Sequence, residues 1–561
     1  MPLTRRYLQV GDRRVHYFRA GDGPPVVLIH SSPANARLLM KEIARLARDN
    51  TVFAFDTPGF GLSDPLPLAE MEVADLADAM AETLATIGMP PCPIFGTHTG
   101  AAIALELGVR HPDRVTGLVL DGVPAFTDEE CAAFFGTYFR EMPPSELGGH
   151  YAEAWTRFRD QAIWFPWTNR LPENHNPYDL SPPHSTHLWV SMFLDAADHY
   201  APAYRAASYW GGRAINAAAA LTLPAVFCAT TTDMLYSHLE RLPPLKPNQS
   251  IAEIGDSYEC KRELISESVA RFGAEGPAPA DCDAVASTSG IARQFNDGTQ
   301  GQIHLRTCGD RTAPTLLLLH DAPGSAEQAE PLIAELATRF FVIAPDLPGS
   351  GESDPMAPVP TVDDFADEVA ALLSRLDVAI ATVHGIGFGS SVALALARRH
   401  AGLVTAVVLQ GLALPDEGER VTMLASYAVP ISIEPDGAHW YRTWLMLRDS
   451  QIYWPWYDHR LASLRRVPAD FTARRLNRWT MDVMRARESY HHLIHAALED
   501  DAAVALKALD APFAVVRDPS TPLSAHDDRL RSLRPDAAII ERDAPDFADA
   551  LSGLSTRSHD V

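Results

Sequence analysis

The residues best placed to do chemistry form the run Gly96-Thr97-His98-Thr99-Gly100. An apolar, strand-like segment, Pro93-Ile94-Phe95, leads into it, and the small-residue run Ala101-Ala102-Ile103-Ala104-Leu105 leaves it as a helix. The spacing predicts a sharp strand-to-helix turn with His98 at its apex and glycines on both sides that let strand and helix pack closely. Such an apex sits at positive φ, a conformation in which histidine is enriched over most side chains. An imidazole raised there can take a proton from water or substrate, or attack a carbonyl to give a short-lived acyl-imidazole. The helix dipole at that end disfavours a cation, so neutral imidazole is the expected form.

A carboxylate partner would fix the tautomer of such a ring and stabilise the imidazolium that forms. Two aspartates have suitable positions. Asp121 ends the strand-like run Leu118-Val119-Leu120 that follows the turn's helix, and Asp233 follows the run Pro224-Ala225-Val226-Phe227-Cys228. Asp233 is preferred, because Thr230 to Thr232 place it in a loop, whereas Asp121 opens Asp121-Gly122-Val123-Pro124 and can simply cap a turn.

The elements that must position these residues are short apolar runs alternating with Ala/Leu-rich helical segments such as Val73 to Ile87, which implies βαβ units and a largely parallel sheet. The pattern then repeats at an almost fixed offset. His30 after Val26-Val27-Leu28-Ile29 returns as His320 after Leu316-Leu317-Leu318-Leu319, and Asp56-Thr57-Pro58-Gly59 returns as Asp346-Leu347-Pro348-Gly349. The apex turn returns as Gly385-Ile386-Gly387-Phe388-Gly389, and the segment from Arg159-Asp160 to Trp167 as Arg448-Asp449 to Trp456. Units this large repeated once indicate tandem globular domains rather than a solenoid. The expected organisation is an α/β fold with an N-terminal domain over 1–272, a linker over 273–290 and a C-terminal domain over 291–561. The linker contains Gly273-Ala274-Glu275-Gly276-Pro277 and Ser287-Thr288-Ser289-Gly290. Each domain should carry an inserted helical lid, over about 126–219 and 415–509. The first of these is rich in tryptophan (Trp155, Trp164, Trp167, Trp189, Trp210), which can pack the lid onto the core or line an apolar pocket.

Together these motifs resemble the α/β-hydrolase superfamily, in tandem. Val26 to Pro33 is similar to its first central strand and oxyanion loop, Phe53 to Asp64 to its next strand and loop, and Gly96 to Gly100 to its nucleophile elbow. The resemblance implies mostly parallel sheets flanked by helices. It also implies backbone donors for a developing oxyanion, which here would be Thr99 together with Ser31 or Ser32. Three departures set this chain apart. His98 replaces the elbow serine, Ser31 replaces the glycine of a His-Gly opening, and Gly255-Asp256-Ser257 stands where the family's late histidine is expected. An ordinary serine triad is therefore rejected, and dehalogenation is disfavoured because no carboxylate occupies the apex. In the C-terminal copy the apex is Gly387, Arg517-Asp518-Pro519-Ser520-Thr521 fills the acid loop, and Glu541-Arg542-Asp543-Ala544 follows the last strand. That copy reads as structural.

Composition narrows the partners. A net charge of −25 argues against nucleic acid and anionic membrane, and 47% hydrophobic with 21% charged residues describes an ordinary globular protein. No stretch is long and apolar enough for a membrane span or a secretory leader, so a cytoplasmic location is expected. Six cysteines without C-x-x-C spacing point to reduced thiols. His184 and His187 lack a third metal ligand, and neither Gly59-Phe60-Gly61 nor Gly349-Ser350-Gly351 has the spacing of a nucleotide loop. The expectation is a cofactor-free, metal-free enzyme whose two halves contact one another. It would act on an ester, lactone or C–C bond of a small carbonyl compound through His98. Lyase chemistry by proton abstraction and a non-catalytic binding protein are the alternatives.

Overall fold

The computed structural model describes residues 3–134, 136, 138–280 and 290–556. It separates into two compact units: Met1–Pro143 with His150–Val285, and Pro144–Gly149 with Ala286–Val561. The short stretch 144–149, expected within the N-terminal domain, groups with the second unit. Of the expected linker, residues 281–289 lie outside the described residues. Its first residues belong to unit one, where Glu275 donates to the Pro91 carbonyl at 2.9 Å.

The first unit is built on an eight-stranded sheet ordered β1-β2-β4-β3-β5-β6-β7-β8. Its strands are β1 Thr4–Val10, β2 Arg13–Ala20, β3 Pro25–Ile29, β4 Thr51–Phe55, β5 Cys92–Thr97, β6 Val115–Asp121, β7 Ala225–Ala229 and β8 Gln249–Glu253. The first hairpin and the β2–β4 pair are antiparallel and all other pairs are parallel. Strands β3, β4 and β7 are buried at every residue, as continuous apolar runs covered by helices on both faces must be. The second unit repeats the plan with β9 Ala292–Asp297, β10 Gln302–Cys308, β11 Thr315–Leu319, β12 Phe341–Pro345, β13 Ala381–Ile386, β14 Val404–Gln410, β15 Phe513–Arg517 and β16 Ala538–Glu541, in the order β16-β15-β14-β13-β11-β12-β10-β9. Between β6 and β7 five described helices are inserted, from Asp128–Phe134 to Gly212–Ala220. Five more, from Glu417–Ser426 to Ala502–Lys507, lie between β14 and β15.

One buried carboxylate ties together the loops over the site in each unit. Asp56 accepts from the backbone N–H of Ala36 (2.8 Å) and Leu62 (3.0 Å) and is bonded to His16 Nδ1 (2.8 Å). Burial alone would raise its pKa, but His16 beside it holds it below the usual carboxylate range. Asp346 does the same work with Ala326 N–H, Glu352 N–H, His304 and the guanidinium of Arg306.

The apex turn depends on close backbone approach. A Cβ on Gly96 would lie 2.2 Å from the Gly100 carbonyl oxygen, and one on Gly100 would lie 2.1 Å from the Ile29 carbonyl oxygen. Both neighbours are backbone, so neither can swing aside. Gly100→Ala is therefore expected to destabilise the first unit by about 3 kcal/mol, the upper part of the range for overpacking. Gly212→Ala, at a helix start with nothing within 4 Å of its new methyl, should leave stability nearly unchanged. Urea unfolding of the two variants against wild type checks both, and equal midpoints for all three would refute the packing argument.

Candidate active site at the turn apex

His98 links β5 to the helix Thr99–Arg110 at φ 49°, ψ −110°. Among the described residues it shares positive φ with one other non-glycine, Asp377. Its own N–H donates to the Asp121 carbonyl (2.8 Å), and its carbonyl accepts from Ala102 N–H (3.0 Å) to start the helix. The turn is thus fixed by backbone, and the side chain is free to be chosen for chemistry. The imidazole Nε2 lies 2.9 Å from Asp233 Oδ2, and the other oxygen of Asp233 accepts from Leu235 N–H at 2.8 Å. Gly122 closes the far side of the ring, where a Cβ would lie 2.6 Å from the His98 Cδ2. The side chain of His98 remains 29% exposed and that of Asp233 12% exposed, so the pair is partly screened from water yet open on one side. With Nε2–H directed at the carboxylate, Nδ1 carries the lone pair.

At His98 the carboxylate partner opposes both burial and the helix dipole. Burial would lower the His98 pKa, but the charge and hydrogen bond of Asp233 outweigh it, with a further contribution from Asp121, and the ring is held above 6.5. The carboxyl of Asp233 is pushed up by burial and pulled down more strongly by His98, to about 2. The helix dipole's preference for a neutral ring is a fraction of a kcal/mol, and a carboxylate at hydrogen-bond distance exceeds it.

Asp121 is not brought to His98. Its Oδ2 accepts from Thr97 Oγ1 (2.9 Å) and forms an ion pair with Lys261 Nζ (2.8 Å), on the helix Tyr258–Phe272. Lys261 is itself buried, and although burial works against its charge, Asp121 raises its pKa further above the usual lysine range. Sequence reasoning missed Lys261. A single lysine in a charged, amphipathic helix carries no signal that it turns inward.

Ser31, Ser32 and Thr99 are all buried beside the apex. The Ser31 carbonyl is bonded to His30 Nδ1 (2.9 Å), and Ser32 N–H makes only a long contact to Thr99 Oγ1 (3.4 Å), while Ser32 Oγ has no hydrogen-bond partner. The second unit displays the same backbone groups in use. There Asp321, at the position of Ser31, turns its carboxylate onto the N–H of Ala322 (2.8 Å) and of Phe388 (2.9 Å), the counterparts of Ser32 and Thr99. A Cβ on Gly387 would lie within 2.4 Å of all three carboxylate atoms. That unit's anion-binding turn is occupied by its own side chain, and burial raises the pKa of Asp321 to about 6. The glycine-lined turn of this unit thus holds a carboxylate of its own. Elsewhere, Gln410 replaces Asp121 and donates to Asp518 (2.8 Å) and Thr521 (3.4 Å), leaving no titrating pair at the apex.

One further repeat is structural. His238 Nδ1 accepts from Ala125 N–H (3.0 Å) while Arg241 donates to the Ala125 carbonyl (2.8 Å) and pairs with Glu130. His526, Arg529 and Glu419 make the same set at Leu414. Burial, aided by Arg241, lowers His238 to about 4, which suits a permanent acceptor. Asp160 pairs with Arg170 (2.7 Å) rather than with Arg159. Among the described residues no group of three His, Cys, Asp or Glu side chains could hold a metal ion, and no helix is long and apolar enough to cross a membrane.

The model of the alpha/beta hydrolase fold family matches residues 24–149 and again 314–440. A proline iminopeptidase of Arabidopsis thaliana is 30% identical over 28% of this chain and 41% of its own length. The (E)-2-((N-methylformamido)methylene)succinate hydrolase of Acinetobacter baylyi is 33% identical over 22% of this chain and 46% of its own length. The chain thus spans less than half the length of these curated relatives. The solved enol-lactonase of Burkholderia xenovorans covers 47% of this chain and 98% of its own at 18% identity and a TM-score of 0.37. With the repeated sheet, turn and loops on which the two matched regions fall, each half of the chain is an α/β-hydrolase-like domain.

Proposed function

We propose that the N-terminal unit is a cofactor-independent hydrolase for an ester, lactone or C–C bond of a small carbonyl compound, and that the C-terminal unit is structural. The observation that carries this reading is the His98 Nε2 to Asp233 contact of 2.9 Å on a partly exposed ring at positive φ. Asp233 holds Nε2–H, so Nδ1 takes a proton from water as the water oxygen bonds to the carbonyl carbon. The carbonyl oxygen, now an anion, is received by the N–H groups of Ser32 and Thr99, and the imidazolium returns its proton to the leaving group. Direct attack by Nδ1 gives an acyl-imidazole through the same contacts, and proton abstraction next to a carbonyl would use the same base for lyase chemistry. The two matches to the alpha/beta hydrolase fold model support hydrolysis at the level of reaction class.

Turnover on a panel of aryl esters and lactones tests the proposal. His98→Ala should lower kcat/KM by about 10²- to 10⁴-fold with folding retained. Equal rates in wild type and variant, or no turnover on any member, would favour a binding protein in which the pair is a structural ion pair. A fluorophosphonate should label neither half, since no serine stands at either apex, and stoichiometric labelling would overturn the assignment.

The pair also sets a pH dependence. Neutral His98 is the reactive form, so kcat/KM should rise with pH through an ionisation above 6.5, and Asp233→Asn should move that limb downward while lowering the plateau. The sign for stability is opposite. A raised histidine pKa stabilises the fold fully below 6.5 and loses that contribution as pH rises through the folded value, whereas Asp233 contributes above 3.8 and loses it as pH falls through about 2. A pH-independent rate from 6 to 9 would count against the base.

For the second unit, Asp321 has its pKa raised from 3.8 to about 6, so its carboxyl favours the fold at low pH and that contribution is lost as pH rises through 6. Asp321→Asn keeps an acceptor for Ala322 and Phe388 without the charge. It should stabilise the chain at pH 8 by on the order of 2–3 kcal/mol, do little at pH 4, and leave turnover unchanged. Equal effects at both pH values in urea unfolding would refute the buried-charge account.

A further inference from the structure

We propose that Arg157 is a carboxylate-binding site within the inserted helices of the N-terminal unit, and that the small carbonyl compounds admitted there carry a carboxylate. The inference rests on the reading of this unit as the hydrolytic half but specifies which molecules it takes. Arg157 lies on the helix Gly149–Ile163 and is 2% exposed. Its guanidinium carbon sits 4.6 Å from the ring centre of Phe193, 5.3 Å from Phe158, 5.4 Å from Tyr200 and 5.5 Å from Trp167. None of its three nitrogens is in hydrogen-bonding geometry with an acceptor, and it has no ion pair with a carboxylate among the described residues. Glu153, one turn earlier on the same helix, pairs instead with Arg140 (3.1 Å). Tyr200 donates its hydroxyl proton to the Arg140 carbonyl (2.7 Å) and offers its oxygen to the guanidinium as a neutral partner only, while Tyr138 is bonded to Tyr204 (3.2 Å). The indole N–H of Trp167 is buried without an acceptor as well. A guanidinium and an indole thus converge with no carboxylate to receive them among the described residues.

That arrangement is costly without a ligand. An unpaired buried charge costs several kcal/mol, and ring contacts worth about 0.5–2 kcal/mol each offset only part of it. Aromatic faces leave the planar N–H fork unused, and a carboxylate is the group that fits such a fork in bidentate fashion. The repeat provides an internal comparison. Met446 stands at the position of Arg157, and Trp456, at the position of Trp167, donates its indole N–H to the Tyr427 carbonyl (2.8 Å). The half that lacks the histidine–aspartate pair also lacks the cation and satisfies its indole.

Calorimetric titration of the full-length chain with benzoate and with its neutral counterpart benzamide tests the proposal without requiring turnover. Benzoate should bind at one site per chain and about tenfold or more tighter than benzamide. Arg157→Met, the residue found in the other half, should bring the two within about threefold while leaving the ligand-free Tm equal to or above that of wild type, as expected on replacing an unpaired buried charge with an apolar side chain. Equal affinity for the two probes, or a preference for benzoate that survives Arg157→Met, would overturn the site. A fall in ligand-free Tm of several degrees in Arg157→Met would overturn it too, by showing that the cation is held by the fold itself. Benzoate selectivity without turnover on the ester panel would sustain this site and sink the role of His98. Turnover lost in His98→Ala without benzoate selectivity would do the reverse.

Discussion

The structure turns on how closely β5 and the helix after it must approach. Gly96 and Gly100 bring the backbones to distances at which no side chain fits, as do Gly385 and Gly389 in the second unit. The price of that approach is an apex residue at positive φ, met by histidine in one half and glycine in the other. The apex then stands at the end of a parallel sheet, beside the loops that follow β3, β6 and β7. Whatever side chain occupies it faces groups supplied by all three, and function is decided by a handful of substitutions on an otherwise repeated frame.

Charge pairing explains why two neighbouring carboxylates behave differently. Asp121 is closed by Lys261 at 2.8 Å, so the remaining buried anion, Asp233, has His98 as its hydrogen-bonded partner. In a site of low polarity each such pair is stable only if complete. The imidazole is therefore drawn toward protonation while its carboxylate is held ionised at all ordinary pH values. The second unit reaches neutrality by another route, with Gln410 and Thr521 where the first has Asp121 and Asp233. Its Asp321 leans on two backbone N–H groups and no cation, which is why burial dominates its pKa.

Much of this was legible in the sequence because it depends on short-range rules. Apolar runs spaced by helical segments gave the parallel sheets, the near-constant offset gave the duplication, and glycines around His98 gave the turn. The loop position of Asp233 was readable as well. The choice between it and Asp121 depends on Lys261, 140 residues further along, and no local pattern reports that contact. The upward direction of the His98 pKa is not local either. The dipole of a helix end is a local feature, whereas the carboxylate that outweighs it arrives from a different strand. Arg157 was hidden because an arginine on an amphipathic helix ordinarily faces water, and its burial is set by Trp167, Phe193 and Tyr200, which lie outside its own helix.

The treatment of buried polar groups distinguishes the two halves more clearly than the catalytic residues do. Buried donors and acceptors are almost always satisfied in native proteins, and those that are not call for a reason. Around the apex of the second unit the relevant groups are satisfied from within: Ala322 and Phe388 by Asp321, and the Trp456 indole by a carbonyl. The first unit leaves their counterparts open, with Ser32 N–H at only 3.4 Å from a hydroxyl and the Trp167 indole without an acceptor; the Ser32 hydroxyl is unpartnered too, and the Arg157 guanidinium has the neutral Tyr200 hydroxyl beside it but no carboxylate. The same frame can evidently close these positions with one carboxylate and one carbonyl. They remain open together in the half that carries His98 and Asp233.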